Sequence, residues 1–391
     1  MGLDESRALL RRIAEVGRQS GDHPDYRRIE PLAAYGHPDL DVDRLDEIDG
    51  GITRREVLLR FLLLSAVVDQ GPDIAGIRDL VVGVTNDLYA GETRIFHDPL
   101  AFFRDFDRAL ASIEDIHAKV KAARAAGWAA AQGSTPSKYL LYMENAGQTL
   151  GYAIYRWGAP LAVALSLQKA DPDSSSPLEQ FLRSAKSAES MSQAIKDSGR
   201  YGLGKAIGDK AAHLFAKWAI HAYPLLRDDQ NRAWDAWSYE VPFDSNAGRV
   251  MYRTGFTRQW LTDAQLVAAE AIQPGRGKNQ NTSYLRVTNT RGVAVLPLGV
   301  VSELRDAYRT LCVSHLRSHA KAPVKVEFQR IPSAISLLDG GMTPGEIDDG
   351  LIKVGTTWCM NTATPNCAKC PLADVCEGRQ ASPSLILDVR T

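Results

Sequence analysis

The chain has 391 residues, 45% of them apolar, and a formal net charge of −1. That length and composition allow a large buried core, in one big domain or two. Five cysteines with four clustered are no secreted disulfide framework, no apolar run reaches transmembrane length, and the acidic start Met1-Gly2-Leu3-Asp4-Glu5-Ser6 is not a signal peptide. A cytoplasmic protein without a membrane partner is expected. The first six residues match a myristoylation pattern by chance, since one lipid without a basic patch anchors weakly.

Leu9, Leu10, Ile13 and Val16 give residues 6–19 helical spacing. Residues 21–51 are polar and turn-rich, and a strongly apolar helix follows from Arg55 to Val68, stopped at Asp69-Gln70-Gly71-Pro72. Helices are then expected over 73–90, 99–126, 137–155 and 159–169. Ser176 and Pro177 read as N-cap and first residue of a helix that runs to about Asp197. A glycine-rich turn spans Gly199 to Gly208, and another helix runs from about Lys210 to Ala222. Arg286-Val287-Thr288 and Val293 to Leu296 flank Asn289-Thr290-Arg291-Gly292 as a β-hairpin, and Val324 to Phe328 is a further strand candidate. The last helix, Pro344 to about Thr357, opens with a capping box of Thr343 and Glu346. There is no internal repeat.

The basic residues are unevenly spread. Between Arg276 and Arg330 lie ten Lys or Arg, including Lys278, Arg286 and Arg291, against three acids, Glu303, Asp306 and Glu327. A basic face on a neutral protein is a candidate phosphate-binding surface, and equally a solvated face with no partner.

Cys359, Cys367, Cys370 and Cys376 form a C-x7-C-x2-C-x5-C run, with Pro371 after the third cysteine. Four thiolates closing on one point suit a tetrahedral zinc or a [4Fe-4S] cluster. Cys312 stands apart and reads as a small buried hydrophobe. Upstream, Gly202, Gly204 and Gly208 punctuate the turn that carries Lys205 and leads into Lys210. Glycines there let backbone N–H groups approach a phosphate, with a helix N-terminus behind them. Val241-Pro242-Phe243-Asp244 follows some thirty residues later.

The order of these features (helix, turn ending in Gly208-Asp209-Lys210, helix, Val241-Pro242-Phe243-Asp244, four-cysteine loop) resembles the helix-hairpin-helix DNA glycosylase superfamily. The cysteine loop resembles that of endonuclease III-type and adenine-type glycosylases, and the Lys210 turn resembles archaeal 8-oxoguanine DNA glycosylases. Leu63 to Gln70 resembles the first barrel helix of the superfamily. The resemblance covers 61–90, 198–260 and 344–377.

It implies a mainly α, two-lobed fold with a DNA groove between the lobes, a small β insertion and a C-terminal iron–sulfur loop. A helical barrel lobe would span 56–250. Residues 1–55 and 251–391 would form the second lobe, with the basic β insertion at 275–330 and the cluster loop at 359–376. One [4Fe-4S] cluster would sit on the four cysteines. The partner would be double-stranded DNA carrying a damaged or modified base, bound by a monomer, nucleoid-associated if bacterial. Lys210 would attack the sugar and Asp244 would stabilise its positive charge. Gln70 would probe the opened base pair. Gly202, Gly204, Lys205 and Gly208 would meet DNA, with Arg276, Lys278, Arg286 and Arg291 as further contacts.

Other roles stay open at each position. Lys210 is alternatively a phosphate contact, leaving Asp244 to activate water in a monofunctional enzyme, and Asp244 is alternatively a helix N-cap. The rival reading of the whole chain is a non-catalytic DNA-binding or lesion-sensing protein on the same fold. Trp218, Trp234, Trp237 and Tyr239 are core or base-stacking residues, and Trp358 shields the cluster. Three departures from the pattern are visible. Ala206 stands where a glycine is usual, the first cysteine gap has one residue more and no basic side chain, and the stretch after Asp244 is long.

Overall fold

The computed structural model describes residues 3–36, 42–69, 74–106, 150–203, 209–226, 241, 245–262, 264–265, 272–276, 283–287, 304, 306, 328–360 and 365–380. The chain divides into a split unit, Met1–Asp22 with Asp228–Thr391, and a continuous unit, His23–Arg227. Sequence reading placed the boundaries at 55/56 and 250/251. Residues 23–55 join the continuous unit because Tyr26 packs edge-on against Tyr223 and the Glu30 amide donates to Asn86. The described residues are mainly helical, with two antiparallel two-stranded ribbons.

Helix α1 (Leu3–Ser20) buries Leu9, Leu10, Ile13 and Ala14, the face its spacing predicts. The polar segment after it holds a 3-10 turn (Tyr26–Arg28), α2 (Glu30–Ala33) and the hairpin β1 (Ile48–Asp49) with β2 (Ile52–Thr53). Gly50 and Gly51 close that hairpin with φ of +63° and +89°, the double left-handed conformation such a two-residue loop requires.

Helix α3 (Arg54–Val68) starts where Thr53 caps the Glu56 amide, and its apolar run is buried on all sides. Next come α4 (Ile74–Ala90), α5 (Pro99–Phe106) and α6 (Leu150–Ala170). Two helices were expected over 137–155 and 159–169. Instead α6 runs unbroken through Pro160, because packing against α3 and burial of Trp157, Leu161 and Ala164 outweigh the hydrogen bond that proline removes.

The single helix expected over 177–197 is two, α7 (Pro177–Arg183) and α8 (Ala188–Asp197). Ser187 breaks it by capping the Ser190 amide. At α7 the expected Ser176 cap makes no side-chain hydrogen bond. The buried Glu56 carboxylate of α3 accepts from the Leu178 and Glu179 amides instead, at 3.1 and 3.0 Å. Helix α9 (Asp209–Lys217) continues into a π-helical turn, Trp218–Ala222, where an α-helix to Ala222 was expected.

In the split unit, α10 (Ser245–Arg253) leads through left-handed Gly255 into α11 (Phe256–Trp260). Strands β3 (Ile272–Arg276) and β4 (Ser283–Val287) pair antiparallel, Gln273 opposite Arg286 and Arg276 opposite Ser283. The strand around Arg286 was legible, but its described partner lies upstream; residues 293–296 are outside the described residues. Phe328, read as the end of a strand, opens a 3-10 turn instead. The unit closes with α12 (Ile331–Asp339), α13 (Pro344–Thr357) and α14 (Glu377–Gln380). Helix α13 carries the expected capping box, with Thr343 and Glu346 each capping the other's amide. Its backbone meets that of α1: a Cβ on Gly17 would overlap the Glu346 carbonyl, and one on Gly350 the Ile13 carbonyl. Gly355 likewise admits Asn246 of α10.

Candidate metal centre

Helix α13 delivers the first cysteine. It ends at Thr357, Trp358 caps it, and the Cys359 amide still donates to the Val354 carbonyl at 2.8 Å. A 3-10 turn at Cys367–Lys369 and a turn from Cys370 to Ala373 bring the next two around, and Cys376 precedes α14. All four cysteines are half-buried and free of disulfides, and they line one cavity with Arg253, Trp358 and Leu372.

Burial pushes the Cys370 thiol up to about 11, and its neighbours Cys359, Cys376 and Cys367 push the same way against a hydrogen bond from the Leu372 amide. A thiol held up like that of Cys370 keeps its proton until a cation replaces it, which is how a metal takes such a position. The donor set, four sulfurs and no carboxylate, suits zinc or an iron–sulfur cluster. Among the described residues, no three His, Cys, Asp or Glu side chains close on one point as ligands of a single ion.

Two arginines one helical turn apart on α10 support the loop. Arg249 is buried, and its Nε donates to the Cys359 carbonyl at 2.7 Å. Its Nη2 donates to the Gly355 carbonyl at 2.9 Å and to Asn246 Oδ1 at 2.8 Å. Arg253 is buried too; its Nη1 donates to the Met360 carbonyl at 3.1 Å and lies 3.7 Å from Cys359 Sγ. Cys376 Sγ lies 3.5 Å from the Arg253 carbonyl. Ionised sulfurs would offset these two buried positive charges. Neither arginine was singled out as a site residue from sequence. The signal was there, arginines four apart on a helix otherwise rich in apolar residues, but nothing local says which face is buried.

The other expected site residues are placed as follows. Lys210 is the second residue of α9 and half-buried. Gly202 packs on the end of α8, where a Cβ would overlap the Ile195, Ala194 and Ser198 carbonyls. That gives this glycine a packing reason of its own. Arg276 and Arg286 lie on β3 and β4. Trp218 is fully buried in the continuous unit, and Trp358 lines the cysteine cavity. Gln70, Gly204, Lys205, Ala206, Gly208, Trp234, Trp237, Tyr239, Asp244, Lys278, Arg291 and Cys312 lie outside the described residues. The structure thus brings the four cysteines together and adds Arg249 and Arg253 to them.

No helix among the described residues is long and apolar enough to cross a membrane. No protein-family model, curated protein or solved structure matches the chain.

Proposed function

We propose that the chain is a DNA glycosylase with AP-lyase activity, built on a two-lobed helix-hairpin-helix fold with a C-terminal iron–sulfur loop. Its substrate is duplex DNA carrying a damaged or modified base. The observation that carries this reading is the cavity that the four cysteines share, with Cys359 braced by α10, the helix that begins one residue after Asp244. In this reading a cluster on the four cysteines would tie the chain end to the helix that follows Asp244 in sequence. Cys359, Cys367, Cys370 and Cys376 would hold the cluster, which when bound ties the C-terminal segment together and supplies no chemistry at the base.

Lys210 and Asp244 share the reaction. The target nucleotide leaves the stack. The bond from base to C1′ breaks, and the base departs with the bonding pair and takes up a proton. The Asp244 carboxylate offsets the positive charge that develops on the sugar. The Lys210 amine bonds to C1′ and loses a proton; ring opening gives a Schiff base, and β-elimination then cleaves the strand. Water hydrolyses the Schiff base and frees the lysine. The half-buried place of Lys210 at the start of α9, just after the glycine-rich turn, is compatible with that role.

Borohydride trapping on a panel of modified duplexes tests the reading. The wild-type chain should form a covalent adduct with one of them. Lys210→Gln should lose trapping and strand cleavage but keep abasic-site binding, and Asp244→Asn should slow base release about a hundredfold or more. Base release without strand cleavage in Lys210→Gln would make the enzyme monofunctional, with Asp244 activating water. Tight lesion binding with no adduct and no base release would make it a sensor. Zinc in place of iron and sulfide, in a colourless protein, would remove the iron–sulfur assignment.

A further inference from the structure

The continuous unit encloses a second site, unrelated to the cysteines. A cavity of about 240 Å³ lies among α3, α4, the segment from His23 to Arg28 and Trp218. Its floor is apolar, with Phe61, Ile77 and Val81 buried. A cavity of roughly 150 Å³ accommodates benzene, so this one has room for two fused rings.

The polar groups on its wall are set for a neutral ligand. Arg78 pairs with Asp69 at 3.2 Å inside, and Arg28 pairs with Asp79 at 2.8 Å at the exposed rim. Asp25, also on the wall, pairs with Arg27 at 2.8 Å. With each acid matched to an arginine, these pairs give the wall no net formal charge to select an anion or a cation. Tyr223 donates its hydroxyl to the Pro24 carbonyl at 2.7 Å, so the contact at 3.0 Å between Tyr223 Oη and His23 Nδ1 is a donation from the ring.

Two features point to an occupant. Ser65 is 4% exposed, lines the cavity, and its hydroxyl makes no hydrogen bond; a buried hydroxyl left so is costly unless something binds it. Trp218 reaches the cavity from the first residue of the π-helical turn, with the Tyr223 amide bonding back to its carbonyl at 2.8 Å. Such turns are rare and cluster at functional sites.

We infer that this cavity binds a neutral, planar, two-ring heterocycle of purine size, hydrogen-bonded by the Ser65 hydroxyl. Nothing in this site depends on the chemistry proposed for Lys210 and Asp244.

Titration calorimetry and thermal shift on the full chain test it, with hypoxanthine as probe and uracil and indole as comparisons. Hypoxanthine should bind one to one and raise the melting temperature, more tightly than uracil or indole. Ser65→Ala should weaken hypoxanthine about tenfold, a loss of about 1.4 kcal/mol, while leaving the protein at least as stable as wild type. Ser65→Met should fill the space and abolish binding. No heat and no shift at millimolar hypoxanthine would overturn the inference. So would equal affinity in wild type and Ser65→Ala, or tighter binding of indole, which would mark a merely apolar cavity.

Discussion

Arg249 donates from Nε to the carbonyl of Cys359 across 2.7 Å and 110 positions of sequence. The same guanidinium holds the Gly355 carbonyl at the end of α13. One side chain of α10 therefore fixes both the end of that helix and the start of the cysteine loop. Arg249→Leu removes these bonds from the buried Gly355 carbonyl and the partly buried Cys359 carbonyl. It should destabilise the split unit by about 3 kcal/mol and lower iron and sulfide per chain. Arg249→Lys should recover only part of the loss, because an ammonium lacks the planar fork. Metal analysis with denaturant titration checks both; full iron content in Arg249→Leu would contradict the supporting role.

Helix α13 reaches that position only because it touches α1 backbone to backbone. Gly350→Ala places a methyl group inside the Ile13 carbonyl, with no flexible side chain to yield. Overpacking on this scale should cost about 3 kcal/mol. Urea unfolding should show the lower midpoint, and metal content should fall with it, since α13 carries Cys359.

Glu56 holds the continuous unit together from its centre. It is fully buried, accepts from Arg60 Nε at 2.8 Å and caps α7 through the Leu178 and Glu179 amides. Glu56→Ala strands a buried arginine and should cost about 3–5 kcal/mol. The double variant Glu56→Leu with Arg60→Met should cost less than the sum of the single changes. Chemical denaturation of the four proteins measures the coupling.

Acid should weaken the continuous unit in two stages. Burial lowers the His97 pKa from its ordinary 6.5, and Arg94 adds to the effect. Burial alone would raise Asp49, but hydrogen bonds from Tyr35, Arg94 and His97 hold it down to about 2 from 3.8. Both folded values lie below the unfolded ones, so the unfolded chain takes the proton first and stability falls as pH falls. The first loss should begin below about 6.5 and the second below about 3.8, each with a slope of at most about 1.4 kcal/mol per pH unit. Melting temperature against pH records both, and His97→Gln should remove the first stage and shrink the second, since His97 also helps hold Asp49 down.

If the basic stretch after Asp244 meets DNA, affinity should fall steeply with salt. Replacing Arg276, Lys278, Arg286 and Arg291 together by Gln should flatten the slope of log K against log salt by about 0.9 for each phosphate no longer neutralised. Fluorescence anisotropy at several salt concentrations measures it. An unchanged slope would move the DNA surface elsewhere.

Local chemistry fixed the ends of several elements within a residue or two. Thr53 and Thr343 each cap an amide three residues on, and the apolar spacing of Leu9, Leu10 and Ile13 names the buried face of α1. Such signals act over one helical turn, so they can be read from the chain directly. The grouping of the cysteines was also legible, because three short gaps confine them to one place. What holds them was not. Helix α6 persists through Pro160, Glu56 rather than Ser176 caps α7, and α9 yields a π-helical turn at Trp218. Arg249 and Arg253 turn inward beneath the loop. Each of these is settled by partners far away in sequence, where burial and a shared hydrogen bond outweigh local preference.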